Sequence, residues 1–135
     1  MPRDYSGTYQ LVQQENLDAY LKALDIGLAL RKVVNLLQPT KVVHQDGSHM
    51  VIRTLTALSS YTMEFDVGVP FEEDLGPIDG RKCQTTVQWD GDRLVCTQLG
   101  EKQDRGWTHW LEGDMLHLEM HAEGAVAKQV FQRKT

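Results

Sequence analysis

Four polar side chains stand on strand faces that are otherwise apolar: Lys41, Thr54, His109 and Gln129. Residues two apart share a strand face, so Ile52, Met63, Trp107 and Phe131 are among their companions. A few convergent hydrogen-bonding groups set in apolar walls describe a ligand cavity. A dry core would leave each such group unpaired at about 1–3 kcal/mol. Two other chemistries use the same residue types. A lysine beside a histidine offers a nucleophile and a base, yet no Ser-His-Asp order, phosphate loop or metal box accompanies them. His117, Glu119 and His121 share an outer strand face and imitate a zinc site, but strand spacing supplies no fourth ligand. On residue type alone His109 also reads as a core histidine paired by one backbone carbonyl, and Lys41 as a solvent-facing lysine.

The stretch Gly106 to Met120, GWTHWLEGDMLHLEM, is the hairpin that positions His109. Trp107, His109 and Leu111 share one face, and on the return strand Leu116, Leu118 and Met120 alternate with His117, Glu119 and His121. That is the pattern of an antiparallel sheet with one buried face. Similar short runs recur with turn chemistry at Gln45-Asp46-Gly47, Asp79-Gly80, Asp90-Gly91 and Glu123-Gly124. Even spacing of this kind predicts an all-β sandwich or barrel, and the inward polar side chains favour the antiparallel β-barrel, whose closure hides the sheet edges. Upstream, Tyr5 to Gln13 reads as a first strand and Asn16 as a helix N-cap. Leu17, Tyr20, Leu21 and Leu24, then Leu30, Val33, Val34 and Leu37, follow helical spacing around a break at Asp25-Ile26-Gly27. From Pro39 onward the period changes from 3.6 to two.

At 135 residues, with 41% hydrophobic and 24% charged, the chain has the size and composition of one domain, expected over 1–135. A net charge of -5 without a Lys/Arg cluster argues against nucleic acid as a partner. The polar start MPRDYSG leads into no apolar run long enough for a signal or a spanning helix, so a cytoplasmic location is expected. Cys83 and Cys96 are expected to stay reduced there.

The chain resembles the intracellular lipid-binding proteins, and within them the cellular retinol-binding proteins. The residues that carry this are Ala29-Leu30-Arg31-Lys32, Gln45-Asp46-Gly47, Phe71-Glu72-Glu73-Asp74, Asp79-Gly80-Arg81-Lys82-Cys83, Arg105-Gly106-Trp107 through Trp110, and Lys128-Gln129-Val130-Phe131. The resemblance implies a mostly β fold, a ten-stranded antiparallel β-barrel or β-clam capped by a helix-turn-helix. It also implies a non-catalytic carrier of retinol, or of retinal, without a cofactor. In the subfamily, the residues at the Lys41 and His109 positions contact the ligand hydroxyl, and that at Gln129 adds to the polar end; Thr54, Ile52, Met63, Trp107 and Leu58 complete the expected binding set. Retinoid-metabolising enzymes and, through Arg31-Lys32 beside the portal, a transient membrane surface are the implied partners of a monomer. The chain departs from the family at His109, where many retinol carriers have Gln, and at Ala127, where Cys is common. Leu58-Ser59-Ser60-Tyr61 also replaces a usual Phe-Arg-Asn-Tyr portal run.

Carriers of fatty acids and retinoic acid in this family hold a carboxylate with inward Arg side chains and a Tyr, because a buried anion needs paired cations. Here Gln129 and Phe131 occupy the Arg-x-Tyr places and His109 replaces an inner Arg. The set suits an alcohol or aldehyde better than an acid. The remaining alternatives are a carrier of another neutral lipid or a fatty acid, and a binding-impaired member that serves as an interaction module.

Overall fold

The computed structural model describes residues 3–134. Met1, Pro2 and Thr135, at the ends of the expected 1–135 domain, lie outside the described residues. Ten strands are present: β1 (Gly7–Glu15), β2 (Thr40–Asp46), β3 (His49–Leu55), β4 (Ser60–Asp66), β5 (Phe71–Leu75), β6 (Arg81–Asp90), β7 (Arg93–Leu99), β8 (Gly106–Glu112), β9 (Met115–Ala122) and β10 (Ala125–Arg133). Between β1 and β2 run α1 (Leu17–Ala23) and α2 (Leu28–Asn35), and a single turn, α3 (Gly76–Asp79), separates β5 from β6. All pairings are antiparallel in one sheet of order β4-β3-β2-β1-β10-β9-β8-β7-β6-β5, so β1 closes the chain's two ends together. The expected capped barrel is what forms, with β4 and β5 as its two edges.

Short turns set the register. Glu123 and Gly124 both have positive φ, 51° and 85°, the backbone twist that suits a two-residue hairpin connection. Gly106 answers a different demand: a Cβ there would sit 2.1 Å from the Cys96 carbonyl oxygen, so only glycine lets β8 lie this close to β7. In the β8–β9 hairpin Trp107 faces Met120, His109 faces Leu118 and Leu111 faces Leu116, which puts the apolar sides of both strands inward.

The interior divides into two apolar groups. One fills the barrel, with Tyr9, Met50, Phe65, Val87, Leu116 and Phe131 among its buried members. The other seats the cap: Leu17, Tyr20, Leu21, Leu24 and Ile26 pack on Ala122 and Ala127. Each buried leucine contributes about 1.5–3 kcal/mol. The alanines, fully buried, leave room for α1 against the strands beneath.

Local details differ from expectation. The first strand starts at Gly7 and runs to Glu15 rather than over Tyr5 to Gln13. Asn16 precedes α1 but makes no side-chain cap; its backbone is left-handed at φ 59° and its amide donates to the Val126 carbonyl at 2.7 Å. It ties the helix start to β10 instead. The apolar spacing of α2 does not mark a buried stripe, since none of its residues is buried and Leu30 and Val33 are each 45% exposed. Cys83 and Cys96 are buried free thiols.

Candidate functional site

A cavity of about 280 Å³ lies inside the barrel beneath the two helices. All eight side chains singled out from the sequence line it: Lys41, Ile52, Thr54, Leu58, Met63, Trp107, His109 and Gln129. Strand alternation explains the inward aim of most of them. On β2, Lys41 shares a face with Val43, and both are buried while Thr40 and Val42 are partly open. Lys41 stands between Tyr9 and Thr54 across three neighbouring strands.

Lys41 is the unusual group. Its Nζ donates to Thr54 Oγ1 at 3.1 Å and lies 5.5 Å from the centre of the Phe131 ring, with no carboxylate partner among the described residues. Burial therefore lowers its pKa to about 8, because the neutral amine loses less on leaving water than the ammonium does. The solvent-facing reading of this lysine fails: it is 7% exposed.

His109 is held edge-on to Trp107, their ring centres 4.6 Å apart. Both imidazole nitrogens are buried without a hydrogen-bond partner among the described residues. A core histidine satisfied by a backbone carbonyl is therefore not what stands here. Burial first, and the Lys41 charge second, hold its pKa well below the ordinary histidine value, so the ring is neutral at pH 7. A neutral imidazole offers one donor and one acceptor. Gln129, two residues before Phe131 on the same face of β10, donates its amide to Gln14 Oε1 at 2.7 Å.

Leu58 is placed differently, 53% exposed in the loop between β3 and β4. Thr56 closes that loop: its hydroxyl donates to the Ser59 carbonyl at 2.7 Å and accepts from the Ser59 amide at 3.0 Å. His117 and His121, on the outer face, go to other uses. His117 stacks on Trp110, and His121 bonds the Asp104 carbonyl at 2.7 Å.

A second polar group also lines the cavity and was not anticipated. Glu73, 3% exposed, accepts from Thr85 at 2.8 Å, Gln98 at 3.0 Å and Tyr61. Arg105, 4% exposed, grips the Asp79 carboxylate with both terminal nitrogens at 2.9 and 3.1 Å. Three consecutive acidic residues, Glu72-Glu73-Asp74, hide which one turns inward. The signal that finds it is alternation with Phe71 and Leu75, which puts Glu73 on their side of β5.

No protein-family model matches the chain. Retinol-binding protein 1 of Mus musculus is 58% identical over 133 residues, 98% of each chain. Retinol-binding protein 5 of Pongo abelii is 53% identical over the same share of both. The chain belongs to the retinol-binding branch of the intracellular lipid-binding proteins. A solved structure of that branch, human cRBP IV, superposes with a TM-score of 0.97 at 51% identity, covering 98% of this chain and all of its own. As a retinol-binding family member this chain keeps, among the described residues, one cationic side chain in its cavity wall without a carboxylate partner, Lys41, since the guanidinium of Arg105 is engaged by Asp79.

Proposed function

We propose that the chain carries all-trans-retinol, or the corresponding aldehyde, as a single-domain, monomeric cytoplasmic binding protein that delivers it to retinoid-metabolising enzymes. The observation that carries this reading is His109, buried with both nitrogens unpartnered among the described residues, in the wall of a largely apolar cavity that also holds Lys41 and Thr54. A hydroxyl placed there accepts from one of these groups and donates to another, and Gln129 adds to the same polar end. Ile52, Met63 and Trp107 supply apolar surface for the polyene, with Leu58 at the mouth.

The role is binding rather than catalysis. Lys41 and His109 bring a nucleophile and a base near one another, but the alcohol carries no group for them to attack, and an aldehyde could only condense with the Lys41 amine, releasing water, to a bound imine without turnover. A carboxylate ligand meets a poor site: one ammonium with a depressed pKa, one neutral ring, and a guanidinium already committed to Asp79. Competition titration of retinol against retinoic acid tests this. Retinol is expected to bind one site per chain and to win by roughly a hundredfold, because an unpaired buried carboxylate costs several kcal/mol. Equal or tighter binding of the acid overturns the alcohol-carrier reading.

A further inference from the structure

Arg105, Trp107 and His109 point the same way along one strand direction, with the indole between the other two. Four residues of antiparallel strand span roughly 13 Å, so the cavity wall has a polar group at Arg105 well apart from the one at His109. Gln98 stands beside Arg105, its backbone amide donating to the Arg105 carbonyl at 2.9 Å.

The hydrogen bonds at this second pole leave a defined pair of atoms over. Glu73 only accepts, so the Gln98 amide must turn its Nε2 toward it, and Oε1 is left buried with no partner among the described residues. Arg105 uses both terminal nitrogens on Asp79, which leaves its Nε–H in the same condition. Both residues are 4% exposed and both line the cavity. One acceptor and one donor are thus unspent beside Glu73, on the far side of Trp107 from His109 along the chain. A hydroxyl is the small neutral group that accepts from an N–H and donates to an amide oxygen.

We propose that Gln98 and Arg105 form a second ligand subsite, which takes a hydroxyl at the far end of the bound molecule. The preferred ligand is then an isoprenoid alcohol oxygenated at both ends, of which retinol bearing a hydroxyl on its ring is the nearest example. This rests on the retinoid-alcohol reading of the first pole and names the finer ligand class. Glu73 acts as the positioning residue, fixing which end of the Gln98 amide faces the ligand.

The test is a titration of the full chain with three ligands: all-trans-retinol, its ring-hydroxylated form and its ring-ketone form. The hydroxylated ligand is expected to bind about three- to tenfold tighter than retinol, the yield of one or two net hydrogen bonds. The ketone, able to accept from Arg105 but not to donate to Gln98, should fall between. In Gln98→Met the advantage of the hydroxyl over the ketone should vanish. An advantage that persists in Gln98→Met overturns the proposal, as does hydroxylated ligand binding no tighter than retinol to the unaltered chain. If Gln98→Met does not fold, the order of the three ligands on the unaltered chain decides. If no retinoid binds at all, the carrier reading fails and this proposal falls with it; if retinol binds and the order is absent, only the second subsite fails.

Discussion

His109 owes its character to what surrounds it rather than to what it bonds. A buried imidazole with no partner among the described residues is costly, and on the proposed function a ligand hydroxyl offsets that cost. His109→Leu should therefore weaken retinol binding by about 1–3 kcal/mol, while His109→Gln, which keeps a polar partner, should stay within about 1.5 kcal/mol of the parent. Fluorescence titration separates them, and Lys41→Met makes the matching test from the other side. If both apolar substitutions leave the affinity unchanged, the hydroxyl is held elsewhere. These two groups also write themselves into stability. Both are bases whose folded pKa is depressed, so the unfolded chain binds the proton first. As pH falls below about 6.5, the unfolded histidine charges while His109 resists, and stability is lost toward acid. Lys41 acts the same way higher up: its contribution grows as pH rises from about 8 to about 10.5. Urea midpoints measured from pH 5 to 10 should show a shallower acid limb in His109→Gln and a flatter alkaline limb in Lys41→Met.

At the scale of elements, the mouth of the cavity is formed by parts with little holding them to the barrel. α2 has no buried residue, though Gln14 of β1 donates to its Asn35 carbonyl at 3.4 Å, and the loop carrying Leu58 is closed by Thr56, whose hydroxyl accepts from the Leu58 and Ser59 amides. The turn between α1 and α2 is better tied, because Arg81 donates to the Leu24 carbonyl at 2.9 Å and pairs with Asp25 at 2.6 Å, which Lys102 also reaches at 3.0 Å. Exchange of ligand should accordingly depend on the Leu58 loop and α2. Leu58→Phe with Ser59→Arg is expected to slow retinol release in stopped-flow while leaving association nearly unchanged, since affinity differences between close variants appear mostly in off-rates. An unaltered release rate would locate the gate in another element. Much of this framework is legible in the chain itself. The β8–β9 hairpin is written in strict alternation around Gly113, and the change at Pro39 separates cap from barrel. What is not legible depends on neighbours remote in sequence. Periodicity shows that α2 has an apolar stripe but not that it stays largely open, with only Val34 partly buried against the cap, and Asn16 is a cap by type yet spends its amide on Val126, 110 residues away. Gln98 follows Leu94 and Cys96, and Arg105 precedes Trp107 and His109, at the spacing of one strand face, but their polar character hides that they turn inward.

As a whole, the molecule is a sheet wrapped on itself whose two ends meet without a backbone ladder between them among the described residues. Side chains span that seam: Tyr61 of β4 bonds Glu73 of β5, and Phe65 and Phe71 stack with ring centres 6.1 Å apart. A ligand that fills the interior should stabilise the entire closed form by mass action, about 2.7 kcal/mol at a hundred times its dissociation constant. Thermal unfolding with increasing retinol is expected to show a single transition that climbs with concentration; a melting point indifferent to retinol would mean the cavity does not take it. The seam has a bearing on life in a crowded solution as well. Unpaired strand edges invite other chains to add on. Here the outer faces of both edge strands are acidic, Glu64 and Asp66 on β4, Glu72 and Asp74 on β5, all exposed. Two copies docking edge to edge would force these carboxylates together, and that repulsion weighs against each molecule becoming a template for the next.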